Sequence, residues 1–241
     1  MSSYAFVTRV PDGKTEALRQ LGAELSGAKR ADLEDSMRRH GWTAACAWVQ
    51  TSTQADEYIA YFDATGDVRE SYVRFANSTD PFDLWYQRQH AQALDTDFNI
   101  PLPEDAVELL YETRDETASE HARPQAVAEH VRSEATGMVR EFAAELSGPR
   151  RSDTQEFQRR YGLTHEALFL QRRGLEEILI QYAEVTDPER FFYEWPRSEH
   201  PFDRWRQQML RTITGVDYTE IVGPLPELIF HAEVRAGVFS R

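Results

Sequence analysis

Apolar runs and stretches with helical spacing alternate along the chain in a regular order. The run at 4–10 is rich in β-branched and aromatic residues, which is typical of a strand, and the leucines that follow it recur at helical spacing. Apolar runs at 44–51 and 57–64 predict two neighbouring strands, and a run at 107–113 predicts a fourth. With the helical stretches between them, these elements follow the β-α-β-β-α-β order of a ferredoxin-like unit.

The same order occurs twice. The residues Asp-Pro-Phe-Asp-Leu-Trp at 80–85 match His-Pro-Phe-Asp-Arg-Trp at 200–205, and Ala-Glu-Leu-Ser-Gly at 23–27 recurs unchanged at 144–148. Matching segments stay about 120 residues apart throughout the chain, and self-similarity at one period indicates an internal duplication. We therefore predict a first repeat, a polar linker and a second repeat, with the boundaries 1–114, 115–125 and 126–241.

The duplicated six-residue phrase has the features of a helix N-terminus. Proline is favoured at the first helical position, and the residue before a proline is disfavoured in the helical region. Asp83 and Asp203 then fall in the first turn, where a carboxylate faces the positive end of the helix dipole. Phe82 and Trp85 are three residues apart and share one helix face, which favours packing into a core.

The two middle strands of each repeat are apolar at nearly every position, which is typical of a sheet buried on both faces. A ferredoxin-like unit covers one face of its sheet with its own helices, so two units can cover each other by packing their bare faces together. The sequence therefore predicts an α+β fold in which two tandem ferredoxin-like repeats pack sheet to sheet as an intramolecular α/β barrel.

This arrangement resembles the dimeric α/β-barrel superfamily, in the form where two fused repeats make the barrel within one chain. The superfamily includes cofactor-free antibiotic-biosynthesis monooxygenases, polyketide cyclases, muconolactone-type isomerases and two-repeat haem proteins related to chlorite dismutases. The Pro-Phe-Asp-x-Trp phrase is similar to one in small uncharacterised bacterial proteins of this fold. The resemblance lies at the level of fold, and no catalytic motif of a characterised member matches.

Charge and cysteine content exclude several classes of protein. The net charge of −14 argues against a nucleic-acid partner, because phosphate binding needs a basic surface. No apolar run approaches the roughly 20 residues of a membrane span. The N-terminal residues lack the basic and apolar regions of a signal peptide, so we expect a cytoplasmic protein. Cys46 is the single cysteine, so an internal disulfide is excluded.

Two histidines are the candidate catalytic residues. In the usual ferredoxin-like strand order 4-1-3-2 the first and last strands are neighbours, which would place His130 beside His231, with Arg132 close by. Three interpretations are open: hydrogen-bonded structural histidines, a general base that titrates near neutrality, or ligands of a metal or haem. No His-Glu-x-x-His or similar ligand spacing occurs, so no metal site is predicted.

Aromatic residues on the predicted strands suggest a ligand cavity. A mostly apolar pocket with a few convergent polar groups is the usual form of a small-molecule site. The residues predicted to bind substrate in such a pocket are Trp48, Tyr61, Phe169 and Phe230.

These observations predict a small biosynthetic enzyme that acts on a hydrophobic aromatic or polyketide-like substrate. It would be a cofactor-independent monooxygenase or a cyclase/isomerase, with His130 or His231 as base and Arg132 or Tyr182 steadying an oxyanion. The alternatives are a haem- or metal-dependent protein and a non-catalytic ligand-binding barrel. We expect no nucleic-acid or membrane partner, and either a monomer with an intramolecular pseudo-dimer or a homodimer.

Overall fold

The computed structural model describes residues 2–52, 55–95, 106–115, 122–219 and 224–234. The elements of the first repeat are β1 (Ser2–Arg9), α1 (Thr15–Ser26), α2 (Arg30–His40), β2 (Trp42–Gln50), β3 (Glu57–Ala64), α3 (Val68–Ala76), α4 (Pro81–Leu94) and β4 (Val107–Arg114). Those of the second are β5 (Arg123–His130), α5 (Thr136–Ser147), α6 (Arg151–Tyr161), β6 (Leu163–Arg173), β7 (Glu176–Val185), α7 (Pro188–Glu194), α8 (Pro201–Thr214) and β8 (Glu227–Glu233).

The strands form two four-stranded antiparallel sheets, with the orders β1-β3-β2-β8 and β4-β6-β7-β5. The α+β class and the tandem ferredoxin-like repeat are confirmed. The predicted strand order within each repeat is wrong, because the fourth strand of each repeat joins the sheet of the other. The alternation of polar and apolar residues specifies which side chains of a strand face a core, but it does not specify the neighbouring strand.

The strand exchange makes the compact units differ from the sequence repeats. Unit 1 comprises residues 1–104 and 226–241, and unit 2 comprises 105–225. The repeat boundaries mark the duplication in the sequence, whereas each unit takes its last strand from the other repeat. The segment predicted as a linker also contains the beginning of β5, which starts at Arg123.

Each sheet is buried on both faces, as the apolar middle strands predict. In unit 2, Leu168 and Leu179 pack with Phe142 of α5 in the core on the helix-covered face. Strand neighbours with the opposite orientation, such as Phe169 and Ile180, are equally buried. Unit 1 has the same arrangement on its own two faces. We call the face without helices the bare face of each sheet.

The duplicated phrase begins α4 and α8, as predicted. Asp80 accepts a hydrogen bond from the backbone N–H of Phe82 at 2.9 Å, and His200 caps α8 in the same way. Asp83 is fully buried and accepts hydrogen bonds from Ser36 at 2.5 Å and from His40 at 2.8 Å, so it joins α4 to α2.

The second repeat makes the equivalent connection with different donors. Asp203 is fully buried and accepts a hydrogen bond from the hydroxyl of Tyr161 at 2.7 Å. Arg160 lies 3.4 Å from the same carboxylate. The Arg-His pair that ends α2 and the Arg-Tyr pair that ends α6 therefore bind the buried aspartates of the phrase. These contacts fix α4 against α2 in the first repeat and α8 against α6 in the second.

Candidate functional site

The structure separates the two histidines predicted to be neighbours. His130 ends β5, opposite Ile178 in unit 2. His231 lies on β8, opposite Cys46 in unit 1. The predicted adjacency is wrong because β8 pairs with β2 and not with the first strand of its own repeat.

Arg132 and Tyr182, the other two predicted catalytic residues, do not join the two histidines in one group. Arg132 is exposed and pairs with Glu134 at 2.6 Å just after β5. His231 pairs with Glu233 on its own strand at 2.8 Å, and its side chain is 31% exposed. Tyr182 lies opposite Ala126, four positions along the ladder from His130.

The predicted substrate-binding aromatics are divided between units and faces. Trp48 and Tyr61 are fully buried on the bare face of unit 1, and Phe169 is fully buried on the bare face of unit 2. Phe230 lies opposite Ala47 and belongs to the helix-side core of unit 1. The structure therefore places Phe230 on the face opposite to that of Trp48 and Tyr61.

A group of charged residues on the bare face of unit 2 forms the candidate site. His165 of β6 has a fully buried side chain between two carboxylates. Its Nε2 lies 3.0 Å from Oε1 of Glu112 on β4, and its Nδ1 lies 3.3 Å from Oε1 of Glu184 on β7. Arg114 lies opposite His165 in the ladder, with its Nη2 3.3 Å from Nε2.

Tyr182 completes this group. Its hydroxyl donates a hydrogen bond to Oε1 of Glu184 at 2.8 Å, and its ring packs edge-on to the imidazole of His165 at 5.1 Å between centroids. Tyr182 is thus the one residue of the predicted catalytic set that the structure places in the candidate site.

The carboxylates determine the protonation of the site. Burial lowers the pKa of the His165 imidazole, but the hydrogen bonds to Glu112 and Glu184 outweigh burial and leave that pKa above its ordinary value. Burial raises the pKa of Glu184, and its bonds from His165 and Tyr182 outweigh that effect, so the pKa is lowered. His165 is therefore a stronger base than a free imidazole.

Apolar side chains surround the charged group on the bare face. Ala126 and Ala167 flank Tyr182 on the two neighbouring strands, and Phe169 and Ile180 occupy the next row of the ladder. These four residues are buried. The arrangement combines a few polar groups with an apolar surface of small and aromatic side chains, which suits an apolar ligand with one ionisable group.

Unit 1 carries only part of this arrangement. Tyr61 donates to Asp63 at 2.6 Å, as Tyr182 does to Glu184, and Ser3 donates to the same carboxylate at 2.7 Å. The position of His165 is occupied by Ala44. His231 lies opposite Cys46 just as Glu112 lies opposite Ala167, so His231 is the counterpart of Glu112.

His165 and His90, two of the buried histidines, use both ring nitrogens in hydrogen bonds within the protein. Both ring nitrogens of His165 contact carboxylates, and those of His90 contact the Tyr58 hydroxyl at 3.1 Å and the Tyr86 carbonyl at 3.2 Å. Either imidazole would have to give up one of these contacts to bind an iron. In the part of the chain that the structure describes, no three His, Cys, Asp or Glu side chains are grouped to hold a metal ion.

Sequence reasoning missed His165 as a functional residue, although two signals were present. The pair His165-Glu166 interrupts an otherwise apolar strand where the first repeat has Ala44-Ala45. A tyrosine is followed two residues later by an acid in both repeats, as in Tyr182 and its acid Glu184. Because i and i+2 side chains share one face of a strand, this spacing places the hydroxyl beside the carboxylate.

Of three similar solved structures, one has a TM-score above 0.5 and supports the fold. A crystal structure of a "Putative monooxygenase" from Fusobacterium nucleatum matches with a TM-score of 0.51 and 12% identity, covering 96% of this chain and 93% of that one. A "putative monooxygenase" from Lactobacillus acidophilus matches at 0.46 and 9% identity, covering 97% of both chains. An "anthrone oxidase-like protein" matches with a TM-score of 0.43 and 14% identity, covering 98% of this chain and 92% of that one.

These similarities extend no further than the fold. No protein-family model and no curated protein sequence matches the chain. Among the helices that the structure describes, none has the length and apolar character needed to span a membrane.

Proposed function

We propose that the protein is a small-molecule enzyme that acts on a hydrophobic aromatic or polyketide-like substrate, with His165 as its general base. The reaction would be a cofactor-independent monooxygenation, or a cyclisation or isomerisation. The observation that carries this proposal is the buried imidazole held between Glu112 and Glu184 beside an apolar surface. A histidine oriented by a carboxylate is a recurrent general base.

Each charged residue has a distinct part in the proposed chemistry. Glu184 accepts the Nδ1 proton of His165, and the substrate displaces the contact between Nε2 and Glu112 so that Nε2 can take its proton. Arg114 lies beside Nε2 and stabilises the oxyanion that develops when a phenol or an activated carbon loses its proton. Tyr182 orients Glu184 through its hydroxyl. Arg114 thereby takes the oxyanion role that the sequence suggested for Arg132.

Proton transfer to His165 is the first step of all the proposed reactions. In a cyclisation or isomerisation, the resulting carbanion attacks or is reprotonated within the substrate. In a monooxygenation, the deprotonated substrate itself reduces O₂: an activated methylene becomes a carbonyl, one oxygen atom enters the product and the other leaves as water. The four electrons that O₂ accepts come from the methylene carbon, so no further reductant is needed.

The charge balance of the site supports a second candidate, a non-catalytic ligand-binding protein. With His165 protonated, two cations and two carboxylates neutralise one another within the group. Such a network would fix three strands without taking part in a reaction. Turnover measurements separate the two proposals.

The test measures O₂ uptake and product mass with a panel of anthrones and hydroxylated naphthalenes. A product that has gained one oxygen atom and lost two hydrogens indicates a monooxygenase, and a product of altered retention but unchanged mass indicates an isomerase. His165→Gln should lower the rate about a hundred-fold or more, as expected when a general base is removed. His130→Gln is the matched control. It replaces an exposed histidine outside the candidate site, so the rate should be unchanged. A fully active His165→Gln protein would refute the role of His165.

A further inference from the structure

A second polar group lies directly behind the candidate site, on the helix-covered face of unit 2. Glu166 follows His165 in β6, and Tyr111 precedes Glu112 in β4, so each pair of neighbours points to opposite faces. The amide nitrogen of Gln158 donates to the Tyr111 hydroxyl at 3.1 Å and to Oε2 of Glu166 at 3.3 Å.

Arg206 joins this group from α8. It forms an ion pair with Glu166 in which the side chains are only 5% and 3% exposed. The guanidinium lies 4.5 Å from the ring centre of Phe157, so apolar side chains enclose the pair. The polar group thus connects β4 and β6 to α6 and α8, the two helices that carry Gln158 and Arg206.

The fold does not require these polar residues. At the equivalent positions, unit 1 has the apolar or aromatic residues Phe230, Met37, Ala45 and Tyr86, all in one hydrophobic core. Replacing a buried ion pair by well-packed apolar residues is often neutral or stabilising. The polar group of unit 2 therefore needs an explanation other than stability.

The register of β4 offers an explanation. The ladder between β4 and β6 contains a bulge between Leu109 and Tyr111, after which Tyr111 faces the helices and Glu112 faces His165. A slip of one residue would exchange the two faces and remove Glu112 from the imidazole. The bonds of Gln158 hold the Tyr111 hydroxyl beside Glu166 and so oppose that slip. The ladder of β8 on β2 has the equivalent bulge without a polar group, but Ala44 stands there at the position of His165, so no buried histidine depends on that register.

We propose that Tyr111, Gln158, Glu166 and Arg206 are positioning residues that fix the register of β4 on β6 and hold Glu112 against His165. This inference rests on the proposed function, because it assigns the network to the alignment of the general base. The four residues act through Glu112 and do not touch the substrate.

The test replaces the network with the equivalent residues of unit 1, in the variant Tyr111→Phe/Gln158→Met/Glu166→Ala/Arg206→Tyr. Histidine Cε1–H signals are followed by NMR as a function of pH, with the His165 signal assigned from His165→Gln. We expect the variant to fold with at least wild-type resistance to urea. We also expect the titration midpoint of His165 to fall by about one pH unit, because burial is no longer offset by Glu112.

Two reference proteins make the result decisive. Glu112→Gln should lower the His165 midpoint by the same amount as the network variant. Tyr58→Phe removes a hydroxyl from the hydrophobic core of unit 1 and should leave that midpoint unchanged. A network variant that is folded and keeps the wild-type midpoint would overturn the positioning role.

A single substitution covers the case in which the fourfold variant does not fold. Tyr111→Phe removes only the hydroxyl that Gln158 binds, and it should lower the midpoint in the same direction by a smaller amount. An unchanged midpoint in this folded variant would overturn the proposal. No turnover is measured in this experiment, so a protein without activity on the substrate panel would refute the proposed function and leave the positioning result intact.

Discussion

Nε2 of His165, on a strand of the second repeat, lies 3.0 Å from Oε1 of Glu112, on the last strand of the first repeat. The two residues meet because β4 pairs with β6 and not with a strand of its own repeat. A single repeat therefore lacks one half of this pair. The exchanged strand links the duplication of the chain to the assembly of its candidate site.

The first prediction concerns the pH dependence of stability that His165 confers. Its pKa in the folded protein is raised above the ordinary value of about 6.5. The resulting stabilisation is fully present below that ordinary value and is lost as the pH rises through the folded pKa. The free energy of unfolding, measured with urea at a series of pH values, should therefore decline over this window by more in the wild type than in His165→Gln.

Glu112→Gln tests the cause of that decline. The substitution removes one of the two carboxylates that raise the His165 pKa, so the pH-dependent part of the unfolding free energy should shrink. An exposed surface pair supplies the control: Glu134→Gln removes the ion pair with Arg132 and should leave stability nearly unchanged at every pH. Equal pH dependence in the wild type and Glu112→Gln would contradict the prediction.

A second prediction concerns the buried aspartate of the duplicated phrase. Burial raises the pKa of Asp83, but hydrogen bonds from Ser36, Ser78 and His40 outweigh burial and lower it. Asp83→Asn leaves these donors without a carboxylate, so we expect a loss of about 3 kcal/mol in unfolding free energy at neutral pH. Asp80→Asn should lower the unfolding free energy by only a few tenths of a kcal/mol, roughly, because asparagine caps a helix about as well as aspartate does.

The pH profile distinguishes this effect from a general loss of packing. Because the pKa of Asp83 is depressed, its contribution is present above the ordinary carboxyl pKa and disappears as the pH falls through the depressed value. The difference between wild type and Asp83→Asn should therefore shrink in acid. A difference that stays constant down to the acid unfolding of both proteins would show that the charge of Asp83 contributes nothing.

A third prediction concerns Glu129 on β5, where burial raises the carboxyl pKa to about 7. Tyr218 and Gln181 donate hydrogen bonds to this carboxylate, the latter at 2.9 Å, and they only partly offset burial. A raised carboxyl pKa means that stability declines as the pH rises from the ordinary value to about 7. Glu129→Gln should remove this decline and be more stable than the wild type at pH above 7, by about 1 kcal/mol.

The measurement is urea unfolding of both proteins at acidic and alkaline pH. The two proteins should be about equally stable well below the ordinary carboxyl pKa, where Glu129 is protonated in both the folded and unfolded chain. Tyr218→Phe removes one donor to the carboxylate and should increase the pH dependence. A Glu129→Gln protein that is less stable than the wild type at every pH would contradict the prediction.

Local interactions made the duplicated phrase predictable from sequence. The helix N-terminus is indicated by residues that lie within one helical turn of each other, namely Asp80, Pro81 and Asp83. Their spacing alone is therefore a sufficient signal. The strand exchange depends on which distant strand pairs with β4 or β8, and neither strand carries a local signal for its neighbour. The predicted pairing of His130 with His231 failed for that reason.

The candidate site could be predicted only in part. Tyr182 was predicted to steady an oxyanion, and its hydroxyl lies on Glu184 in the candidate site. His165 lies in the same strand neighbourhood, but its importance comes from Glu112, which a distant strand supplies. Divergence between repeats is informative only when each residue is compared with its true counterpart, which for His231 is Glu112.

The last prediction follows from the exchanged strands. Fragments 1–114 and 115–241, expressed together, should associate, because β4 of the first pairs with β6 of the second and β8 of the second pairs with β2 of the first. Each fragment alone lacks the fourth strand of its sheet and leaves a middle strand as an unpaired edge, which favours aggregation. Co-purification on a tag carried by one fragment, followed by gel filtration, measures the association.

A shortened first fragment provides the control. Fragment 1–104 lacks β4, so its complex with 115–241 should keep only the pairing of β8 with β2 and unfold at a lower urea concentration. The complex with 1–104 also lacks Glu112, and the titration midpoint of His165 should fall in it for that reason. If the two long fragments instead remained separate, folded and monomeric, the strand exchange itself would be wrong, and the shared site would have to be abandoned with it.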